Sequence, residues 1–170
     1  MKRPRILLAD DHAPLLEGIR GVLAPHYEIA GTVEDGQTLV EAALRLKPDL
    51  IVSDITMPHL SGIDAAIQIK ASLSGIKLLF VSAHSNLAYV TAAFEAGGTG
   101  YVLKSDVLEE LLDAVRSVLK GRIYVSSGLS TELLGQFQHP AAATSRLSKR
   151  DRKTLQLITE ARAAGKLPER

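Results

Sequence analysis

The 170-residue sequence predicts an α/β fold: a doubly wound, five-stranded parallel sheet with a helical C-terminal extension. Three observations carry that expectation. Short apolar runs alternate with segments of helical period, the connections between them are short, and the apolar runs end in polar side chains. In sheets of this kind, sites form outside the carboxyl ends of the strands, so the polar ends are where chemistry is expected.

Each element has its own warrant. "RILLAD", "DLIVSD", "KLLFVSA" and "GYVLK" are rich in Ile, Leu and Val, as strands buried on both faces must be, and "YEIAGTV" is a weaker run after the first. Between them, Leu15, Leu16, Ile19, Val22 and Leu23 line one helical face, with Pro14 suited to the opening turn. Leu39, Ala43 and Leu46 mark a second helix with Asp35 as its N-cap. Ile63, Ala66, Ile67 and Leu73 mark a third, and Leu87 to Ala96 a fourth. Leu108, Leu111, Leu112, Val115, Val118 and Leu119 give the clearest stripe, that of the fifth.

Composition narrows the classes. With no cysteine, the chain forms no disulfide, thiolate metal site or cysteine nucleophile, which fits a cytoplasmic location. No apolar run approaches the roughly 20 residues of a membrane-spanning helix, so no membrane partner is expected. The basic N-terminal "MKRPRILLADD" meets acids too soon to serve as a signal peptide. The net charge of +1 conceals an asymmetry: residues 146–170 hold eight Lys/Arg against three Asp/Glu, leaving the first 145 residues mildly acidic.

Five polar side chains stand at the predicted strand ends. The first strand delivers Asp10 and Asp11, the third Asp54, the fourth Ser82 and the fifth Lys104. Two carboxylates 4 Å apart repel by about 4 kcal/mol at an effective dielectric near 20. Such a cluster therefore either keeps a proton or shares a cation. A small hard ion such as Mg2+ suits two or three carboxylates and leaves room for phosphate oxygens. Ser82 and Lys104 add a hydroxyl and a positive charge suited to a phosphoryl group. A carboxylate is then the natural covalent acceptor, as an aspartyl phosphate. Any one of these residues alone would be an ordinary cap or surface group; their joint placement is the signal. The five histidines show no zinc-ligand spacing, and His12 and His84 adjoin the site as residues that tune its edge.

"LLADDHAPLLEGIR", "PDLIVSDITMPHLSGIDA", "LLFVSAH" and "GYVLKS" resemble the receiver domain of two-component response regulators, over residues from about 4 to 122. The "DDH" stretch is similar to that of the NarL/FixJ (LuxR-type) group. The resemblance implies a flavodoxin-like sheet of order 2-1-3-4-5 and makes Asp54 the phosphoacceptor. It implies that Asp10, Asp11, Asp54 and the backbone carbonyl of Thr56 hold Mg2+, and that Ser82 and Lys104 contact the phosphoryl group. Ser82 and Tyr101 would form the switch pair. Met57-Pro58 follows Asp54 as in the family, and Gly62 fits its tight turn. Ser105 stands where many members have a proline in a cis bond, which leaves that peptide's geometry open.

The expected organisation is a receiver domain at 1–122, a linker with a short helix at 123–145, and at 146–170 the incomplete start of a LuxR-type helix-turn-helix effector. "RLSKRDRKTLQLI" resembles the opening helix of that effector, and Ser148 with Asp151 forms a capping-box pattern. No recognition helix follows in this sequence, so DNA contact is expected only through a complete effector. The expected function is a response regulator phosphorylated by a sensor histidine kinase, a homodimer when phosphorylated, controlling transcription. The alternative is a receiver without DNA output that acts by protein contact or as a phosphate sink. A phosphohydrolase is disfavoured because Thr56 stands two residues after Asp54, where such enzymes usually place a second acid.

Overall fold

The computed structural model describes residues 2–129. Through them runs a parallel sheet in the order β2-β1-β3-β4-β5-β6. Its strands are β1 (Arg5–Ala9), β2 (Glu28–Val33), β3 (Leu50–Asp54), β4 (Lys77–Ser82), β5 (Gly100–Leu103) and β6 (Tyr124–Val125). The first five follow the expected order. The sixth corrects the strand count: Tyr124–Val125, inside the segment read as a linker, pairs with Gly100 and Tyr101 of β5. Two residues are too short to show a period, which is why the run was illegible as a strand. The remainder of the 123–145 segment beyond Leu129, and all of 146–170, lie outside the described residues.

Helices α1 (Ala13–Leu23) and α5 (Val107–Leu119) cover one face of the sheet. Helices α2 (Gly36–Leu46), α3 (Gly62–Ser72) and α4 (Leu87–Glu95) cover the other. The alternation of strand side chains sorts the core accordingly. Ile6, Leu8, Val52, Val81 and Val102 face α1 and α5, whereas Leu7, Ile51, Phe80 and Tyr101 face the other layer. Both faces are apolar, so the central strands are built mainly of apolar side chains until close to their ends.

The helix starts follow local chemistry. Asp35 caps α2 by accepting the Thr38 amide at 2.8 Å and the Thr38 hydroxyl at 2.6 Å. These bonds hold its carboxyl below the ordinary carboxylate range. Ser61 and Asn86 cap α3 and α4 in the same manner, and Pro14 stands in the first turn of α1. Two residues of the expected apolar faces point outward: Leu108 is 64% exposed and Ile67 54%. In α5 the buried stripe runs through Val107, Glu110, Leu111, Ala114, Val115 and Val118. A carboxylate on that stripe made the all-apolar stripe beside it look like the buried face.

Gly62 is required by close approach rather than by turn conformation, since its φ is not positive. A Cβ there would sit 1.9 Å from the carbonyl oxygen of Asp54. The α3 start thus packs directly on the end of β3, with the Gly62 amide donating to the Ile55 carbonyl at 2.7 Å. Gly62→Ala is expected to lose about 3 kcal/mol or more by urea denaturation, because backbone must move to admit the methyl group. Gly21→Ala, in α1 with open space around its Cβ position, is expected to gain about 0.5–1 kcal/mol.

Candidate functional site

The parallel register brings the strand ends to one rim. Ala9 pairs with Ser53, Asp54 with Val81, and Ser82 with Leu103. Asp10 and Asp11 follow β1 directly, and Lys104 follows β5. Carboxylate oxygens of Asp10, Asp11 and Asp54 all lie within 4.8 Å of one another. Asp10 and Asp54 are buried and Asp11 is exposed, so the cluster opens to solvent on one side.

Lys104 joins two of the acids. Its Nζ lies 3.0 Å from Asp54 Oδ2 and 3.4 Å from Asp10 Oδ2. Burial alone would push the ammonium's pKa down, but the hydrogen bond and charge of Asp54, with the charge of Asp10, hold it above the ordinary lysine value. The oxygens of Asp54 are differentiated. Oδ1 accepts the amides of Ile55 at 2.7 Å and Thr56 at 3.4 Å, leaving Oδ2 toward the lysine.

Asp10 is the strained partner. It is 1% exposed, and its Oδ1 accepts the His12 amide at 2.8 Å. Among the described residues its buried Oδ2 has no well-aligned hydrogen bond; Lys104 approaches it at 3.4 Å, a longer and weaker contact than the lysine makes with Asp54. Burial raises the Asp10 pKa; the His12 amide opposes this, the negative charge of Asp54 adds to it, and Lys104 offsets part. One lysine does not neutralise three acids. The orphaned oxygen and the hard, all-oxygen donor set fit a small divalent cation.

His84 ties the neighbouring loop together, a connectivity the sequence reading did not supply. Its amide donates to Ser82 Oγ at 3.0 Å and its carbonyl accepts the Tyr101 hydroxyl at 2.7 Å. Its ring Nε2 shares a 3.0 Å hydrogen bond with Thr56 Oγ1, and the ring stacks on Tyr89 with centroids 3.9 Å apart. Adjacency to Ser82 was the only sequence signal; the contacts with Thr56 and Tyr89 come from tertiary packing. Tyr101 is fully buried, and burial pushes its phenol up to about 12, with a smaller opposing contribution from Ser82. None of the described peptide bonds is cis, so the Lys104–Ser105 bond is trans.

Residues 6–116 match the response regulator receiver domain model. The chain belongs to that family. It is 33% identical to the transcriptional regulatory protein MctR of Rhizobium johnstonii over 167 residues, covering 97% of this chain and 77% of MctR. It is 32% identical to the transcriptional regulatory protein DegU of Brevibacillus brevis, covering 79% of this chain and 58% of DegU. A LuxR-family response regulator from Aurantimonas superposes with a TM-score of 0.74 at 31% identity, covering 79% of this chain and 98% of the other. The receiver domain of NarL from Mycobacterium tuberculosis superposes with a TM-score of 0.68 at 28% identity, covering 72% of this chain and 100% of the other. The protein is a response-regulator receiver of the NarL/LuxR type, with the flavodoxin-like fold and sheet order the sequence implied. Among the described residues no helix is long and apolar enough to cross a membrane.

The raised Asp10 pKa has a definite consequence for stability. A carboxyl raised by folding binds its proton more tightly in the native state, so its contribution to stability falls as pH rises from its unfolded value through its folded one. Asp10→Asn removes that titration. In metal-free buffer, the melting temperature of the variant relative to wild type is expected to rise as pH increases across this window. A melting temperature that falls relative to wild type over the same window would mean that the fold favours the charged carboxylate.

Proposed function

We propose that the protein is a phosphorylation-controlled switch in which Asp54 accepts a phosphoryl group from a sensor histidine kinase. The single observation carrying this reading is the bridge from Lys104 Nζ to Asp54 Oδ2 and Asp10 Oδ2 inside the three-acid cluster. Asp54 Oδ2, the oxygen free of backbone amides, attacks the phosphorus of a phosphohistidine. The new P–O bond replaces the P–N bond and the imidazole nitrogen leaves with its electron pair. Asp10, Asp11, Asp54 and the Thr56 backbone carbonyl would hold Mg2+, which supplies positive charge toward the phosphoryl oxygens.

Lys104 and Ser82 contact the phosphoryl group in this reading. Lys104 is held charged beside the acceptor, and Ser82 is a buried hydroxyl at the end of the adjacent strand. The Ser82 hydroxyl, whose Oγ accepts the His84 amide, would donate its proton to a phosphoryl oxygen and be drawn toward the phosphoryl group with the loop it holds. Because the His84 carbonyl also holds the Tyr101 hydroxyl, displacing this loop shifts both members of the switch pair. Swinging such a switch from 1:99 to 99:1 takes about 5.5 kcal/mol of differential stabilisation. Several charge-assisted hydrogen bonds reach that magnitude.

The output proposed is transcriptional. MctR and DegU carry that description, and the C-terminal sequence resembles the start of a LuxR-type effector. The receiver at 1–122, the linker at 123–145 and the effector start at 146–170 would then form one signalling unit. It works in the cytoplasm, pairs as a homodimer when phosphorylated, and reads DNA only through a complete effector. Its aspartate is a transient acceptor rather than the centre of a turnover enzyme.

Acetyl phosphate with Mg2+ is expected to add one phosphoryl group per chain by intact mass, and Asp54→Asn to abolish the addition. Labelling that persists in the variant would place the acceptor elsewhere. Lys104→Ala is expected to retain Mg2+ binding by calorimetry while losing the phosphorylation-dependent conformational change seen by tyrosine fluorescence. Loss of the cation instead would mean that the lysine organises the acids rather than the phosphoryl group.

A further inference from the structure

The opposite end of the sheet has a contrasting electrostatic character. Residues 1–129 carry twelve Lys/Arg against fifteen Asp/Glu, yet cations gather where the strands begin. An open cavity of about 770 Å3 there is lined by Lys2, Arg3, Arg5, Lys47 and Lys77, with Asp49 the one lining acid among the described residues. Leu73, Ile76 and Leu119 give the same cavity an apolar part.

The local acids do not balance this charge. Asp49 Oδ2 accepts the Arg5 backbone amide at 2.7 Å, and the Arg5 side chain donates to the Leu46 carbonyl while approaching Glu28 at 3.8 Å. Among the described residues, no carboxylate lies within 4.0 Å of the side-chain nitrogens of Lys2, Arg3, Lys47 or Lys77. Helix-end electrostatics account for part of the cluster. Lys47 caps α2, and the nearby Lys70, in the last turn of α3, donates to the carbonyls of Ser74 and Ile76. That explanation reaches Lys77 as well, whose Nζ lies 3.9 Å from the Cβ position of Gly121 just past the end of α5, but it does not extend to Lys2 and Arg3, which precede β1. Burial, with the positive charge of Lys77 adding to it, holds Lys70 below the ordinary lysine value.

We propose that this cavity binds a polyphosphate anion carrying an apolar ring, a nucleoside polyphosphate by chemical class. Ammonium and guanidinium groups converging on one cavity match phosphate oxygens. The apolar lining offers the ring a surface that inorganic phosphate would not use. The residues from Leu50 to Asp54 separate this end of β3 from the acid cluster by about 13 Å of strand. The site is therefore distinct from the acceptor site and does not depend on the reading of Asp54.

Calorimetric titration of the full chain with ATP and with tripolyphosphate, in EDTA so that no cation recruits phosphate to the acids, tests the proposal. Both ligands are expected to bind, ATP more tightly, with affinity falling as salt is raised. Lys47→Gln/Lys77→Gln is expected to weaken both at least tenfold while the variant keeps the cooperative thermal unfolding of the wild type, which shows that it is folded. No saturable binding of either ligand, or binding undiminished in the double variant, would overturn the site. Equal affinity for the two ligands would overturn the role given to the ring.

Discussion

The arrangement at the sheet's rim depends on an electrostatic imbalance. Lys104 stands between Asp54 and Asp10, while the buried Asp10 Oδ2 has no well-aligned hydrogen bond among the described residues. A structural ion pair would be expected to satisfy its own oxygens, since a buried unpaired polar atom costs about 1–3 kcal/mol. The three acids outnumber their lysine, so the site is poised to take positive charge and, with it, an anion.

The fold supports that imbalance with rigid parts. Parallel register sets Asp54 and Ser82 at the ends of adjoining strands, and the absence of a side chain at Gly62 lets α3 start against the Asp54 carbonyl. Buried strands on both sides leave the backbone of β3 little freedom. Against this frame, the 82–89 loop is held by side-chain contacts: the His84 ring on Tyr89 and Thr56, its backbone on Ser82 and Tyr101. A change of partner at Ser82 therefore reaches Tyr101 through a single residue. β6 extends the same connection, because the Ser126 amide donates to the Tyr101 carbonyl and Ser126 Oγ accepts the Leu103 amide.

Much of this was legible in the sequence, for reasons that also explain the exceptions. Asp10, Asp11, Asp54, Ser82 and Lys104 were visible because each closes or follows a short apolar run, and the register of a parallel sheet then leaves them little choice of location. Asp35 was visible as a cap because its pattern is local. By contrast, β6 has two residues and no period, so only pairing with β5 reveals it. Glu110, 2% exposed, accepts the Tyr124 and Ser127 hydroxyls, and nothing local distinguishes it from a surface glutamate. It displaced the α5 stripe as read from sequence. Gly62 was placed correctly but for the wrong reason, since close approach between distant segments leaves no trace in composition. The connectivity of His84 arises only when the Thr56 loop and α4 are brought beside it.

Titration of Mg2+ into the unphosphorylated protein, followed by calorimetry, bears most directly on the imbalance at the rim. A single saturable site that disappears when Asp10 is replaced by alanine is the expected result. Absence of saturable binding in the wild-type protein would mean that Lys104 already satisfies the acids and that the cluster is a structural ion pair. Binding indifferent to Asp10 would place the cation away from the unbalanced oxygen and contradict the account equally.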